Sequence, residues 1–206
     1  MSVVAFMAHI CDTSPAFECY ASGDRGESAQ FVARLSHNVG APATSAALDQ
    51  LKNWLGSHSI AFVDLYSKHN GAMLYQDSKG DAVGFWLYPI EAWESQTEEM
   101  RSQFEAMGFS PDEQPAATAD SVAFAEIPHS ANYFTVKVSG PDIGKIFYAD
   151  HDDFNDEPFA ESLDRFLARI VSDPAQFLYD VGCYTRYSDG KTSKQWIPKR
   201  YANSSH

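Results

Sequence analysis

Cysteine is scarce in this sequence and badly spaced for chemistry. The chain has three, Cys11, Cys19 and Cys183, which cannot all pair within one molecule. None stands in a C-x-x-C, so neither a structural zinc site nor a thiol-redox motif is indicated. Bases are short as well: 15 Lys and Arg stand against 28 Asp and Glu, a formal net charge of −13 at pH 7. So negative a surface repels nucleic acid and anionic membrane; it suits a basic partner or simply keeps the protein soluble. Long apolar runs are missing too. The opening "MSVVAFMAHICD" has no Lys or Arg ahead of its apolar stretch and soon meets His9 and Asp12, unlike a signal peptide. No run approaches the length of a membrane span. These features predict a soluble protein of a reducing, cytoplasmic compartment.

Catalytic and cofactor motifs are likewise absent. No G-x-S-x-G provides a nucleophile elbow. "GPDIGK" at 140–145 resembles part of a phosphate-binding loop. Its first Gly is one position too close, however, and Ile146 stands where a Ser or Thr would meet magnesium. No G-x-G-x-x-G opens a helix. Cys183 carries no sign of activation. His58, His69 and His129 sit beside turns, and the Glu126–His129 pair is too ordinary to name an acid and a base. The expectation is a protein with no enzymatic activity and no cofactor.

What is present is a dense acidic stretch, "ADHDDFNDEP" at 149–158, following a strand-like run. Counted as a calcium loop from Asp150, it has Asp152 in the third place but Phe154 in the fifth. Asn155 then falls where the sharp turn needs Gly. Asp150, His151 and Asp153 could serve a transition metal, but neighbours on an extended chain point to opposite faces. The expectation is no metal, with Asp156 and Glu157 favourably placed at the start of the following helix.

Core material is plentiful, with 44% hydrophobic residues and 14 Phe. "TSAALDQLKNWLG" (44–56) opens on capping residues, spaces Ala47, Leu48, Leu51, Trp54 and Leu55 on one helical face, and ends at Gly56. "AFVDLYSKHNG" (61–71) repeats the pattern and stops at Asn70-Gly71, both tolerant of a left-handed C-cap. Two apolar runs around "DSKGD" within 72–88 predict a hairpin. Pro89 and early acids predict a helix over the residues that follow it. Strands are predicted around "PHSAN" within 122–138 and at 145–150, then a helix over 158–173 with Phe159, Leu163, Phe166, Leu167 and Ile170 in one stripe. Short turns between the strands predict an antiparallel sheet. The chain divides into an extension at 1–43, with a strand at "VVAFMAHI", an α+β domain at 44–181, and a basic tail at 182–206. The tail carries Arg186, Lys191, Lys194, Lys199 and Arg200 against Asp189, and is expected to pack on the acidic domain with Trp196 and Tyr201 covered.

The order of "LYSKHNGAMLY", "GFWLYPIEAWE", "FAEIPHSANYFTVKV", "GKIFYADHDD" and "FAESLDRFLARIVSDP" resembles the SUKH superfamily, named in part for yeast cell-wall synthesis regulators. The resemblance covers roughly 44–181. It implies an α+β fold with a curved, mostly antiparallel sheet and helices packed around it. It also implies a role: many bacterial members look like immunity proteins that neutralise toxins, while others act as scaffolds or regulators. No general catalytic motif comes with the family. The expected partner is a protein, a basic toxin domain, with no nucleic acid and no membrane. The expected contact residues are Asp150, Asp152, Asp153, Asp156 and Glu157, with Trp93 or Tyr133 as an aromatic anchor.

Overall fold

The computed structural model describes residues 2–21, 30–77, 79, 83–110, 114–128, 130–152, 156–181, 187–191 and 196–198. In chain order the elements are α1 (Val3–Asp12), β1 (Ala16–Ala21), β2 (Gln30–Val39), α2 (Ser45–Leu55) and α3 (Ile60–Tyr66). Next come β3 (Ala72–Asp77), β4 (Phe85–Leu87), α4 (Trp93–Ala106), β5 (Ser121–Ile127), β6 (Asn132–Lys137) and β7 (Ile146–Ala149). The last are α5 (Leu163–Ser172), α6 (Pro174–Asp180) and β8 (Trp196–Pro198). One eight-stranded sheet runs in the order β7-β6-β5-β4-β3-β2-β1-β8, and every pairing is antiparallel. The sheet curls, with the helices packed around it, as an α+β fold. Among the described residues no helix is long and apolar enough to cross a membrane.

The N-terminal segment is a helix, not the expected strand. Ser2 accepts a hydrogen bond from the Ala5 N–H at 3.3 Å, and Val3, Phe6, Met7 and Ile10 form the buried stripe. Their spacing of three and four residues decides the outcome over the strand preference of the Val3-Val4 pair. β1 and β2 then join the same sheet. At the other end, β8 pairs with β1, and Tyr187 is buried with its ring 6.0 Å from that of Phe17. The Ser188 N–H donates to Asp77 Oδ2 at 2.6 Å. Arg186, Lys194, Lys199, Arg200 and Tyr201 lie outside the described residues, while Lys191 is exposed.

α2 follows its sequence signals, with Thr44 accepting from the Ala47 N–H at 3.2 Å and Gly56 capping at φ 53°. α3 stops at Tyr66, earlier than the Asn-Gly signal suggests. α5 begins at Leu163 under a Ser162 cap, because Ala160 is engaged in a two-way backbone bridge with Ile146 that extends the edge of β7. Asp156 and Glu157 therefore stand well before the helix and do not meet its first turn, which corrects that expectation.

Aromatic rings fill the core. The Phe134 ring lies 4.9 Å from Phe166, 5.0 Å from Phe159 and 5.5 Å from Phe85. A second group surrounds Trp93, with Trp54 stacked at 5.6 Å and Phe62, Tyr66 and Phe124 within 5.9 Å. Burying these rings removes a large apolar area from water, the main favourable contribution to folding.

One half-buried histidine is expected to make the fold acid-sensitive. The register of β2 against β3 shifts between Ser36 and Asn38, and Tyr75 opposite adopts φ 57°. His37 stands at the irregularity, and its Nδ1 accepts from the Tyr75 N–H at 3.2 Å. That leaves the proton on Nε2, which is buried without a partner among the described residues. Burial, reinforced by His9, pushes the His37 pKa from 6.5 to about 4. A histidine whose folded pKa lies below its unfolded value stabilises the fold when neutral, so its contribution is whole above pH 6.5 and is lost as pH falls towards 4. Allowing for solvent screening of a partly exposed ring, the loss is about 1–2 kcal/mol. Urea unfolding at pH 7 and pH 4.5 is expected to show it, and His37→Asn, which keeps an acceptor for Tyr75, to lessen it. An equal fall in both proteins would remove His37 as the cause.

Candidate functional site

The acidic stretch leaves the edge strand β7 and turns towards α5. Asp150 Oδ1 accepts from the Asp152 N–H at 3.0 Å, so the chain bends here instead of running extended. This bend corrects the expectation that neighbouring side chains diverge: ligand atoms of Asp150, His151 and Asp152 lie within 4.8 Å of one another. His151 Nε2 lies 3.3 Å from Asp152 Oδ2, and its Nδ1 is 3.9 Å from Asp150 Oδ1. Among the described residues three ligand residues gather, and the Asp152 side chain is 84% exposed. A structural zinc site needs four ligands.

The base of the loop is tied to the sheet. Asn132 Oδ1 accepts from the His151 N–H at 3.2 Å and lies 2.6 Å from Nδ1 of that ring. The Asn132 amide donates to the Tyr148 hydroxyl at 2.6 Å, which in turn donates to the Val181 carbonyl at 2.6 Å. The chain of bonds links the acidic bend to β6, β7 and the residue after α6. Further on, Asp156 Oδ1 accepts from the Ala116 N–H at 3.3 Å and joins the acidic stretch to the segment between α4 and β5. Asp156 and Glu157 are exposed. Asp153 lies outside the described residues.

The two aromatic anchors are not surface residues. Trp93 has no exposed surface and stands among Trp54, Phe62, Tyr66 and Phe124. Tyr133 is 3% exposed. Neither can reach a partner without the fold opening, which corrects both calls. The reason is positional: Trp93 begins α4 on the face turned to the core. Tyr133 lies in register between Glu126 of β5 and Ala149 of β7. It sits at the foot of the acidic bend, beside Asn132. The structure brings Asp150 and Asp152 together at the bend after β7, ties Asp156 to the Ala116 N–H, leaves Glu157 exposed, and buries Tyr133 and Trp93.

Asn132, which the sequence did not mark, holds the bend through His151, and Asn70, read from sequence only as part of a helix stop, holds the start of α4. Asn70 Oδ1 accepts from the Ile90 N–H at 2.9 Å, and its amide donates to Glu91 Oε2 at 2.7 Å. Its own N–H donates to the Ala41 carbonyl at 2.7 Å. Asn70 is therefore a bridge between distant segments. The left-handed backbone belongs to Gly71, at φ 90°. Cys19 is buried, and desolvation pushes its thiol up to about 12, while Cys11 is exposed on α1.

A curled antiparallel sheet flanked by helices, with an acidic bend on its edge strand, defines the chain as an α+β protein. The profile of the SMI1/KNR4 family (SUKH-1) matches residues 42–169, and the chain belongs to that family. No curated protein matches it.

Proposed function

We propose that this chain is a non-enzymatic protein-binding domain that neutralises a toxin with a basic surface by direct binding. The observation that carries the reading is the acidic edge: Asp150, Asp152, Asp156 and Glu157 follow the edge strand within a chain of net charge −13. Toxins that act on nucleic acid present basic surfaces to a polyanionic substrate. An acidic inhibitor competes for the same surface and associates quickly by long-range attraction. Family membership supports a binding role, since no catalytic motif accompanies the fold.

The test uses the product of a toxin gene adjacent to this one. Co-expression should restore growth, and the purified proteins should form a complex. Asp152, Asp153, Asp156 and Glu157 are then changed together to their amides. An amide at 156 keeps an oxygen for the Ala116 N–H, so the fold should survive. Association is expected to slow about tenfold at low salt and to lose much of its salt dependence, with dissociation changed far less. An unchanged association rate refutes the electrostatic role of this edge. A locus without any toxin gene, with no protection from one, favours a scaffold or regulator of the same fold.

A further inference from the structure

The hydrogen bonds at the foot of the acidic bend leave one ring nitrogen bare. The Val181 carbonyl can only accept, so the Tyr148 hydroxyl places its proton there, at 2.6 Å. The Tyr148 oxygen then accepts from the Asn132 amide at 2.6 Å, which turns Asn132 Oδ1 towards His151. The backbone N–H of His151 donates to that same oxygen at 3.2 Å and fixes its identity a second time. His151 Nδ1 lies 2.6 Å from it, so Nδ1 must carry a proton. In the neutral imidazole the other nitrogen, Nε2, is then an acceptor without a hydrogen.

That bare nitrogen faces another acceptor. Asp152 Oδ2 stands 3.3 Å from Nε2, and an ionised carboxylate has no hydrogen to offer. Two acceptors this close call for a donor shared between them. Among the described residues no Lys or Arg supplies one to Asp150, His151 or Asp152. Asp150 adds a third acceptor, since one atom from each of the three residues lies within 4.8 Å of the others. The three side chains are open to solvent, at 25% for Asp150, 36% for His151 and 84% for Asp152. Asn132, which aims the ring, is buried in β6 and lies outside the acidic stretch.

We propose that His151 Nε2, Asp152 and Asp150 form the seat of a lysine ammonium supplied by a protein partner. An ammonium carries three N–H donors on one small centre, one for each acceptor, and needs no flat surface to lie on. Acceptors that share one ammonium stand at most about 4.6 Å apart at ordinary charge-assisted bond lengths, so this group needs little movement to close on it. A proton on Nε2 would occupy the same place, so the ammonium seats on the neutral ring. Asp150, Asp152 and the Tyr148 hydroxyl, reached through Asn132, are the titratable groups around that ring. The seat rests on the basic-partner reading above and deepens it: it gives the partner a lysine at one fixed point of the edge, whereas exposed carboxylates attract any base.

The experiment titrates the isotope-labelled full chain, at pH 8 with EDTA present, with acetyl-Gly-Lys-Gly-amide and with its trimethyl-lysine and arginine counterparts. It follows the ring nitrogens of His151 by NMR, and a His151→Gln variant assigns them. Before any peptide is added, the proton is expected on Nδ1 and not on Nε2. The lysine peptide should shift Nε2 saturably, with a dissociation constant on the order of 10 mM for one side chain, and leave Nδ1 nearly in place. Trimethyl-lysine keeps the charge without N–H donors and should bind at least about fivefold more weakly. Asp152→Asn should weaken lysine binding about fivefold or more, because its amide can donate to Nε2 in place of the partner. A proton found on Nε2, equal binding of trimethyl-lysine, or a shift that Asp152→Asn leaves unchanged would overturn the seat. Equal binding of arginine would overturn its assignment to lysine. Toxin protection and salt-dependent association that His151→Gln leaves intact would overturn the seat while keeping the acidic edge as the contact. Lysine binding at His151 in a protein that protects against no toxin would keep the seat and remove the toxin reading.

Discussion

Trp93→Ala is expected to cost about 3–5 kcal/mol, the range for removing a fully buried large aromatic side chain. Trp93 is completely enclosed, its indole stacked within 4° of parallel on Trp54. Its Nε1–H also donates to the Tyr88 carbonyl at 3.4 Å. Truncation opens a cavity among rings from α2, α3 and β5 that cannot close without moving the sheet. It also removes one of two donors to the Tyr88 carbonyl, leaving the Tyr66 hydroxyl at 3.1 Å. A loss of this size is a large share of the stability of an ordinary domain, so much of the variant is expected to unfold under mild conditions. Urea unfolding followed by far-ultraviolet circular dichroism measures it. A loss below about 1 kcal/mol, far under the usual cost of such a cavity, would mean that Trp93 is not the core residue described here. Trp93→Phe keeps most of the packing and should lose less, which separates ring volume from the indole hydrogen bond.

Trp93 also marks where a sequence stops being informative. Pro89 and the early acids revealed the helix, but an aromatic at the start of an amphipathic helix looks the same whether it faces a partner or the core. Only the placement of Trp54, Phe62 and Phe124 decides, and those come from three other elements. α2 and α5 were legible because their signals are local: a capping start and Gly56 stop in one, and in the other the stripe of Leu163, Phe166, Leu167 and Ile170, although its Ser162 cap went unread and the start was placed five residues early. α1 carried an equally local signal in Ser2 and its buried stripe, masked by two adjacent valines. In β2, the alternation of buried Ala33 and Leu35 with exposed Val32 and Arg34 is a readable strand pattern that went unused. The acidic stretch was visible as composition. Its shape was not, because the bend depends on Asn132, which lies 19 residues away in sequence from the His151 it holds.

Gly71→Ala is expected to be nearly as damaging as the loss of Trp93, and for a backbone reason. Gly71 adopts φ 90°, where a side chain is strained. An added Cβ would lie 2.8 Å from both the Leu87 carbonyl oxygen and the Pro89 nitrogen, and 3.0 Å from the Tyr88 carbonyl carbon. All three are backbone atoms, so no side chain can swing aside. Strain and overpacking of this kind together cost about 2–5 kcal/mol. The neighbouring Asn70 offers the comparison. Asn70→Ala removes the hydrogen bond to the Ile90 N–H and the contact with Glu91, a loss of about 1–3 kcal/mol, but leaves the close approach intact. Urea unfolding of both variants should therefore rank Gly71→Ala as the worse, and a Gly71→Ala protein as stable as the parent would refute the close contact.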